Sequence, residues 1–207
     1  MPTSGLGDLM AVNVSAPGLS MRFPEVHCFA DNSVCQVTTG EAEINAAATI
    51  TALVLSRSFD LTKTYFLLAG IAGVNPKHST LGGVALARYS VQVALQYEFD
   101  AREMPENFTT GYFPYGRSQP NQPGAKDYGT EVMELNVELR DMAYKFALQG
   151  RLADNSEAIR YRARYKDVDG LSPAAKKPSV VKCDTATSDV YYSGALLSEA
   201  FENITSV

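Results

Sequence analysis

The sequence predicts a three-layer α/β/α domain with a mixed or parallel central sheet. Strand-like runs alternate along the chain with segments of helical periodicity. One short run is apolar throughout, which is typical of a central buried strand, and a predicted helix precedes it as in a βαβ unit. The chain has 207 residues, 45% of them hydrophobic, which suits one globular domain. We therefore expect residues 1–207 to form a single domain.

The first third of the chain contains the predicted βαβ unit. Residues 1–15 show no periodicity and are expected to be irregular. Residues 26–30 and 33–38 are predicted strands around a polar turn. Residues 41–56 are a predicted helix, because apolar residues recur there at three- and four-residue steps, and residues 64–69 are the apolar run. The expected apolar face of that helix consists of Ile44, Ala47, Ala48, Thr51, Val54 and Leu55.

The remaining elements follow from the same patterns. Residues 83–99 are rich in β-branched and aromatic side chains, which predicts one long strand or a bent pair. Residues 114–129 are rich in proline and predict a surface loop. The other predicted elements are helices at residues 130–149, 156–165 and 195–204 and a strand at residues 179–183. In the second of these helices, Arg160, Arg162 and Arg164 are expected on a solvated face, because two-residue spacing does not place them on one helical side.

Charge and hydropathy exclude several classes of protein. The formal net charge is −5 and no Lys/Arg cluster is present, which argues against nucleic-acid binding. The longest apolar stretch, residues 65–74, is half of the roughly 20 residues that cross a bilayer, and two glycines interrupt it. We expect no transmembrane segment. Residues 1–15 lack the basic and apolar regions of a signal peptide.

The cysteines leave two alternatives open. Cys28 and Cys35 flank the turn between the first two predicted strands, so a disulfide is feasible if the register permits it. Such a bond implies an oxidising compartment and a secretory or extracellular origin, as would use of the sequons at Asn13, Asn107 and Asn203. The alternative is buried thiols and chance sequons. Cys183 has no expected partner in the chain, and no metal site is predicted, because His27, Cys28 and Cys35 lack a fourth zinc ligand.

Ligands of α/β sheets bind at the carboxyl ends of strands, which directs attention to three loops. The first contains Gly40, the second contains Gly70 and Gly73, and the third spans residues 184–194. Glycine at a strand end lets the backbone approach a ligand without a Cβ. Each glycine pattern is weak by itself, because similar turns occur without a ligand.

Taken in order, four motifs resemble those of the nucleoside phosphorylase and nucleosidase superfamily. They are Gly40-Glu41-Ala42-Glu43-Ile44-Asn45-Ala46-Ala47, Gly70-Ile71-Ala72-Gly73, Tyr97-Glu98-Phe99-Asp100-Ala101-Arg102 and Ser188-Asp189-Val190-Tyr191-Tyr192. Longer stretches such as VHCFADNSVCQVTTGEAEINAAATI and TKTYFLLAGIAGVNPKHSTLGG look like the fungal purine nucleoside permease family. The resemblance covers roughly residue 16 to the C-terminus.

The resemblance implies a nucleoside site and its residues. Ala72 and Gly73 correspond to contacts on the sugar side, and the aromatic ring of Tyr191 corresponds to one that stacks on the base. Asp189 is expected to order its own loop. The expected substrate-binding residues are Gly40, Gly70, Ala72, Gly73, Ser188, Asp189, Tyr191 and Tyr192.

The resemblance also implies a reaction, but this chain lacks some of the residues that perform it in the superfamily. Superfamily members cleave the N-glycosidic bond of purine nucleosides through an oxocarbenium-like sugar. Phosphorolytic members have an arginine and a serine to hold phosphate where this chain has Leu68 and Ile71, which favours hydrolysis over phosphorolysis. The motifs for the ribose-binding glutamate and for the acid that protonates the purine do not occur. We therefore expect a domain incomplete at both ends, with no assigned catalytic residue.

Three functional hypotheses follow. The first is a purine nucleoside-binding protein of the N-ribosyl hydrolase or phosphorylase type, with weak or lost cleavage. The alternative is a nucleoside uptake component that acts with a membrane partner, or a fold recruited to bind another ligand. No cofactor is expected. Superfamily members form dimers or larger rings, so a homo-oligomer is expected; residues 108–115 either contribute to its interface or pack locally.

Overall fold

A computed structural model of the protein, which describes residues 7–124 and 128–205, has a mixed α/β structure. The described strands form two three-stranded and two two-stranded sheets, accompanied by four α-helices. These residues divide into two compact units, one ending at Leu68 and the other beginning at Ala69. The predicted α/β class is confirmed, whereas the three-layer arrangement stays a prediction.

The first unit is built on an antiparallel sheet. Its strands are β1 (Val12–Ser20), β2 (Phe23–Cys28) and β3 (Cys35–Gln36), in the order β1-β2-β3. β1 begins inside the stretch predicted to be irregular, of which residues 1–6 lie outside the described residues. Its start alternates between half-buried Val12 and Val14 and exposed Asn13 and Ser15, as expected for a strand with one covered face.

The open question about the cysteines is answered by the β2–β3 register. Cys28 pairs directly with Cys35, their Cα atoms lie 4.1 Å apart, and the two sulfurs form a disulfide. Because both thiols are consumed, neither is available to bind zinc. Cys183 is a free, exposed thiol.

The helix predicted over residues 41–56 is confirmed as α1 (Glu43–Leu55), but its predicted apolar face is wrong. Thr49 and Leu53 are the buried residues of the helix, while Ile44, Val54 and Leu55 are exposed. Leu53 packs into a core with Leu19, Val26 and Cys28. The tightly packed side of α1 is therefore the one that meets the β1–β2 hairpin, and apolar spacing alone does not select it.

The apolar run at residues 64–69 is not a strand. It is irregular in structure, and Tyr65, Leu67 and Leu68 are about 80% exposed. The strands of the first unit pair with one another as an antiparallel sheet, so the predicted parallel βαβ unit does not form among the described residues. A strand depends on partners distant in sequence, and this run has none in the described ladders.

The second unit divides the predicted strand at residues 83–99 among three sheets. β4 (Val84–Leu86), β5 (Tyr89–Gln92) and β6 (Gln96–Glu98) have separate partners. The other strands are β7 (Tyr112–Pro114), β8 (Val132–Glu134), β9 (Val180–Lys182) and β10 (Thr185–Thr187). β4 runs parallel to β9, β6 runs antiparallel to β7, and β5 lies between parallel β10 and antiparallel β8. The strand predicted at residues 179–183 is thus confirmed as β9.

The helices of the second unit are α2 (Val137–Ala147), α3 (Ser156–Arg162) and α4 (Ala195–Thr205). A 3₁₀ turn, Ala163–Tyr165, extends α3, and another covers Ser172–Ala175. The last two predicted helices are confirmed. The helix predicted over residues 130–149 is shorter, because β8 occupies its beginning and Asn136 caps α2, accepting a hydrogen bond from the Leu139 N–H at 2.9 Å.

The structure decides two local predictions, the exposure of Arg162 and the packing of residues 108–115. Arg162 does not lie on a solvated face: its side chain is only 3% exposed and forms an ion pair with Asp154. In residues 108–115, Phe113 packs against Tyr97, Phe99 and Phe108, with ring centroids 5.0, 5.6 and 5.9 Å apart. This segment therefore packs locally, as the second alternative predicted.

The predicted loop at residues 114–129 begins at the end of β7, and its residues 125–127 lie outside the described part of the chain.

Candidate functional site

One edge of the β10-β5-β8 sheet gathers three segments of the second unit. β5 and β10 run parallel, so their carboxyl ends lie at the same edge. There the Val93 N–H donates to the Thr187 carbonyl at 3.0 Å, and the Gln92 N–H donates to the Glu131 carbonyl at 2.8 Å. The edge therefore contains the chain after β5, the chain before antiparallel β8 and the chain after β10, which is where ligands bind in parallel sheets.

The segment after β10 holds four of the predicted site residues in one loop before α4. The Val190 N–H donates to Ser188 Oγ at 3.1 Å, which closes a turn around Asp189. The ring of Tyr192 meets the buried ring of Phe201 edge-on, at 4.8 Å between centroids. Tyr191, between these two anchored positions, is 92% exposed. The loop thus presents a large aromatic surface to solvent.

Glu131 adds a carboxylate to this edge. Its oxygens accept hydrogen bonds from the backbone N–H groups of Tyr128 and Gly129. These bonds, that of Tyr128 above all, lower the pKa of Glu131, so this group is anionic at neutral pH. Thr130 and Gln92 lie beside it, with Thr130 Oγ1 donating to Gln92 Oε1 at 3.5 Å. The edge can therefore accept hydrogen bonds from ligand hydroxyl or N–H groups.

Sequence reasoning missed Gln92 and Glu131. Their proximity follows from the pairing of β5 with β8, two strands about forty residues apart in the chain. No local pattern in the sequence signals that pairing. The expected helix over residues 130–149 also assigned Glu131 to the wrong element.

The predicted residues Gly70, Ala72 and Gly73 lie in an irregular, exposed segment. A Cβ built on Gly70 or Gly73 would meet no atom of the described residues within 4 Å apart from its chain neighbours. The segment after them is fixed to α4: Asn75 Nδ2 donates to Glu202 Oε1 at 2.9 Å, and Lys77 Nζ lies 3.2 Å from Glu202 Oε2. The Ser188–Tyr192 loop precedes the other end of α4, so both segments adjoin this helix.

Gly40 lies in the first unit, shortly before α1. Its φ of +83° is in the region that favours glycine. A Cβ there would approach Ser20 Oγ to 3.3 Å and Asn45 Cβ to 3.4 Å. These contacts give Gly40 a structural role in the turn that leads into α1.

Two small cavities adjoin Arg162 in the second unit. Their volumes are about 80 and 150 Å³, below the roughly 300 Å³ at which pockets for organic ligands begin. Asp154 accepts two hydrogen bonds from Arg162, at 2.8 and 2.7 Å, and this contact lowers the pKa of the Asp154 carboxyl. We therefore treat this pair as structural, and the exposed sheet edge as the candidate site.

The described ranges, 7–124 and 128–205, contain neither a candidate metal-binding cluster nor a candidate membrane-spanning helix. No group of three or more His, Cys, Asp or Glu side chains is arranged to hold a metal ion there. None of the helices in these ranges combines the length and apolar character that crossing a membrane requires.

Comparison with known proteins finds one family and no solved structure. A family model described as purine nucleoside permease matches residues 4–207. A protein of Candida albicans named purine nucleoside permease is 44% identical over 196 residues, which are 93% of this chain and 48% of that protein. A protein of Schizosaccharomyces pombe named probable purine nucleoside permease is 39% identical over 212 residues, 99% of this chain and 60% of that protein. The chain thus spans about half the length of the Candida relative, and no solved structure matches it.

Proposed function

The chain belongs to the purine nucleoside permease family, and from this membership we propose that it binds purine nucleosides and takes part in their uptake. The observation that carries the proposal is the family match over residues 4–207. The permease name of the relatives favours uptake over the hydrolase or phosphorylase hypothesis. In this role the protein delivers nucleoside to a membrane partner. That partner is inferred only from the word permease in the family's name.

We place the nucleoside base at the loop after β10. Tyr191 exposes the ring face that a purine requires for stacking, and the Ser188 turn and the Tyr192–Phe201 contact hold the loop on either side of it. The anionic Glu131 at the same sheet edge provides an acceptor for ribose hydroxyl or base N–H groups. Asp189 orders the loop in this proposal.

The sugar side of the site is assigned to Gly70, Ala72 and Gly73. The open space beside both glycines lets a ligand approach their backbone. A substrate-binding role for Gly40 is a separate proposal, which rests on the family resemblance. The single three-layer domain, the nucleoside phosphorylase relationship, a homodimer and a weak or lost N-glycosidic cleavage belong to this same proposal and rest on the four motifs.

Calorimetry with inosine and adenosine tests the binding proposal. Removing the stacking ring with Tyr191→Ala should cost about 1–3 kcal/mol of binding free energy, an affinity weaker by roughly 5-fold to 160-fold. Tyr191→Phe keeps the ring and should bind as the unmodified chain does. The thermal midpoint of each variant, measured alongside, checks that the chain remains folded.

Purine binding that survives Tyr191→Ala unchanged would remove Tyr191 from the site, and absence of binding to the unmodified chain would overturn the proposed function. Release of free base, measured with and without phosphate, tests the remaining chemistry. We expect little release, and turnover at an ordinary enzymatic rate would restore the hydrolase hypothesis.

Uptake requires an experiment in cells. Cells deficient in nucleoside uptake, expressing this chain, should accumulate labelled adenosine, and Tyr191→Ala should reduce the accumulation. Accumulation equal to that of cells without the chain, together with intact purine binding in calorimetry, would separate binding from uptake and overturn only the latter.

A further inference from the structure

The three sequons occupy three different structural environments. They are Asn13-Val14-Ser15, Asn107-Phe108-Thr109 and Asn203-Ile204-Thr205. N-linked glycans are bulky and polar, so a folded chain accommodates them where the asparagine side chain is exposed and not required by the fold. Each asparagine can therefore be assessed by what its amide does in the structure.

Asn107 lies on an exposed turn. The turn is closed by a hydrogen bond from the Phe108 N–H to the Pro105 carbonyl at 3.0 Å. The Phe108 ring is anchored against Phe99 and Phe113, with centroids 5.9 Å from each. Asn107 itself is exposed. The turn thus keeps its conformation through its neighbours, and no hydrogen bond described for it depends on the Asn107 amide.

The other two asparagines have amides engaged by the fold. Asn13 lies on β1 opposite His27, with its Oδ1 2.6 Å from His27 Nδ1. Asn203 is exposed on α4, but its Nδ2, the atom to which a glycan attaches, donates to Asn121 Oδ1 at 3.3 Å. The threonine hydroxyls do not distinguish the two sequons, because Thr205 Oγ1 donates to the Phe201 carbonyl at 2.8 Å and Thr109 Oγ1 accepts from Asn121 Nδ2 at 2.9 Å.

The Cys28–Cys35 disulfide is an independent indication of where the chain folds. Structural disulfides form in oxidising compartments such as the lumen of the endoplasmic reticulum, where N-glycosylation also takes place. A chain that acquires this disulfide there is exposed to the glycosylation machinery at the same stage.

We propose that Asn107 is an N-glycosylation site of this protein, in preference to Asn13 and Asn203. The Asn107 amide nitrogen forms a bond to the anomeric carbon of an oligosaccharide carried on a polyprenyl pyrophosphate. The nitrogen loses one proton, and the pyrophosphate leaves with the electron pair of the broken carbon–oxygen bond. This assignment does not depend on the proposed function.

The test is expression of the full chain in yeast behind a secretion leader, with a reporter sequon appended at the C-terminus. The reporter identifies molecules that have reached the lumen. Among those molecules, endoglycosidase treatment of the unmodified chain should remove one glycan in addition to that of the reporter, seen as one additional step in gel mobility. Peptide mass spectrometry should locate this additional glycan at Asn107.

Matched variants separate the three sequons. Asn107→Gln and Thr109→Ala should each abolish the additional step, whereas Thr109→Ser keeps the sequon and should retain it. Asn13→Gln and Asn203→Gln should also retain it. Reporter-positive molecules without an additional step, or with a step that persists in Asn107→Gln, would overturn the proposal.

Discussion

Arg162 and Asp154 form a bidentate ion pair in the second unit. Arginines at positions 160, 162 and 164 alternate along a short helix, which favours a solvated face for all three. The structure instead buries the Arg162 side chain, and its two terminal nitrogens donate to the two oxygens of Asp154 at 2.8 and 2.7 Å. Such a bidentate contact holds both side chains in one geometry.

The pH dependence of stability tests this pair. The hydrogen bonds from Arg162 lower the pKa of Asp154 from its ordinary 3.8. The stabilisation is therefore fully present above pH 3.8 and is lost as the pH falls through the lowered pKa of the folded state. Asp154→Asn should reduce the free energy of unfolding in urea at pH 7, and the difference from the unmodified chain should shrink as the pH falls below 3.8. Exposed Asp167→Asn serves as the control, and an equal loss at pH 7 and at strongly acidic pH would contradict the assignment.

At the scale of elements, the packing of α1 on β1 depends on a close approach at Gly18. This residue has a φ of +88°, and a Cβ built on it would lie 2.8 Å from Ala52 Cβ. Both the backbone conformation and the contact therefore exclude a larger residue. This contact therefore determines that the half-buried side of α1, which contains Ala52, faces β1.

Gly18→Ala should destabilise the protein by about 1–3 kcal/mol, because it adds a methyl group where the core has no room. Gly170→Ala provides the matched control, since Gly170 also has a positive φ, +72°, but has open space around its Cβ position. Chemical unfolding should show the larger loss for Gly18→Ala. Because Ala52→Gly itself costs about 0.5–1 kcal/mol within a helix, Gly18→Ala is also measured in that background. There the loss from Gly18→Ala should be smaller, and an equal loss would show that backbone strain alone is responsible.

The disulfide is the second element-scale constraint, joining β2 to β3 across a sequence separation of 7 residues. A loop this short restricts the unfolded chain by about 2–3 kcal/mol. Replacing both Cys28 and Cys35 by serine should lower the free energy of unfolding by a comparable amount. Cys183→Ser should leave it unchanged, because that thiol is exposed and unpaired. Alkylation before reduction should modify one cysteine of the three, and modification of all three would contradict the disulfide.

At the scale of the whole molecule, the segment around the boundary between the two units is the most conspicuous exposed apolar stretch. Tyr65, Leu67, Leu68 and Ile71 are all exposed in irregular backbone. Proteases cleave preferentially at such segments, because the chain enters the protease site without unfolding. Brief chymotrypsin treatment should therefore first cut between residues 65 and 71. Mass spectrometry of the fragments would locate the cut, and first cleavage elsewhere would contradict this account of the segment.

Predictions about the candidate site depended on resemblance far more than on physical pattern. The family motifs identified Ser188–Tyr192 and Gly70–Gly73, and the structure shows the environment of each without testing their roles. Gln92 and Glu131 were not predicted. They reach the same sheet edge only because β8 pairs with β5, and strand pairing is a property of distant segments.

By itself, the sequence determined the α/β class, the positions of α1, α3, α4 and β9, and the family. Helix periodicity and turns are local signals, so a short window of sequence is enough to detect them. Only the tertiary structure decided that Cys28 meets Cys35, that α1 buries Thr49 and Leu53, and that residues 83–99 divide among three sheets. It also decided that residues 64–69 are exposed and that Arg162 is buried. Each of these depends on which distant segment packs against the residue, and no local pattern carries that information.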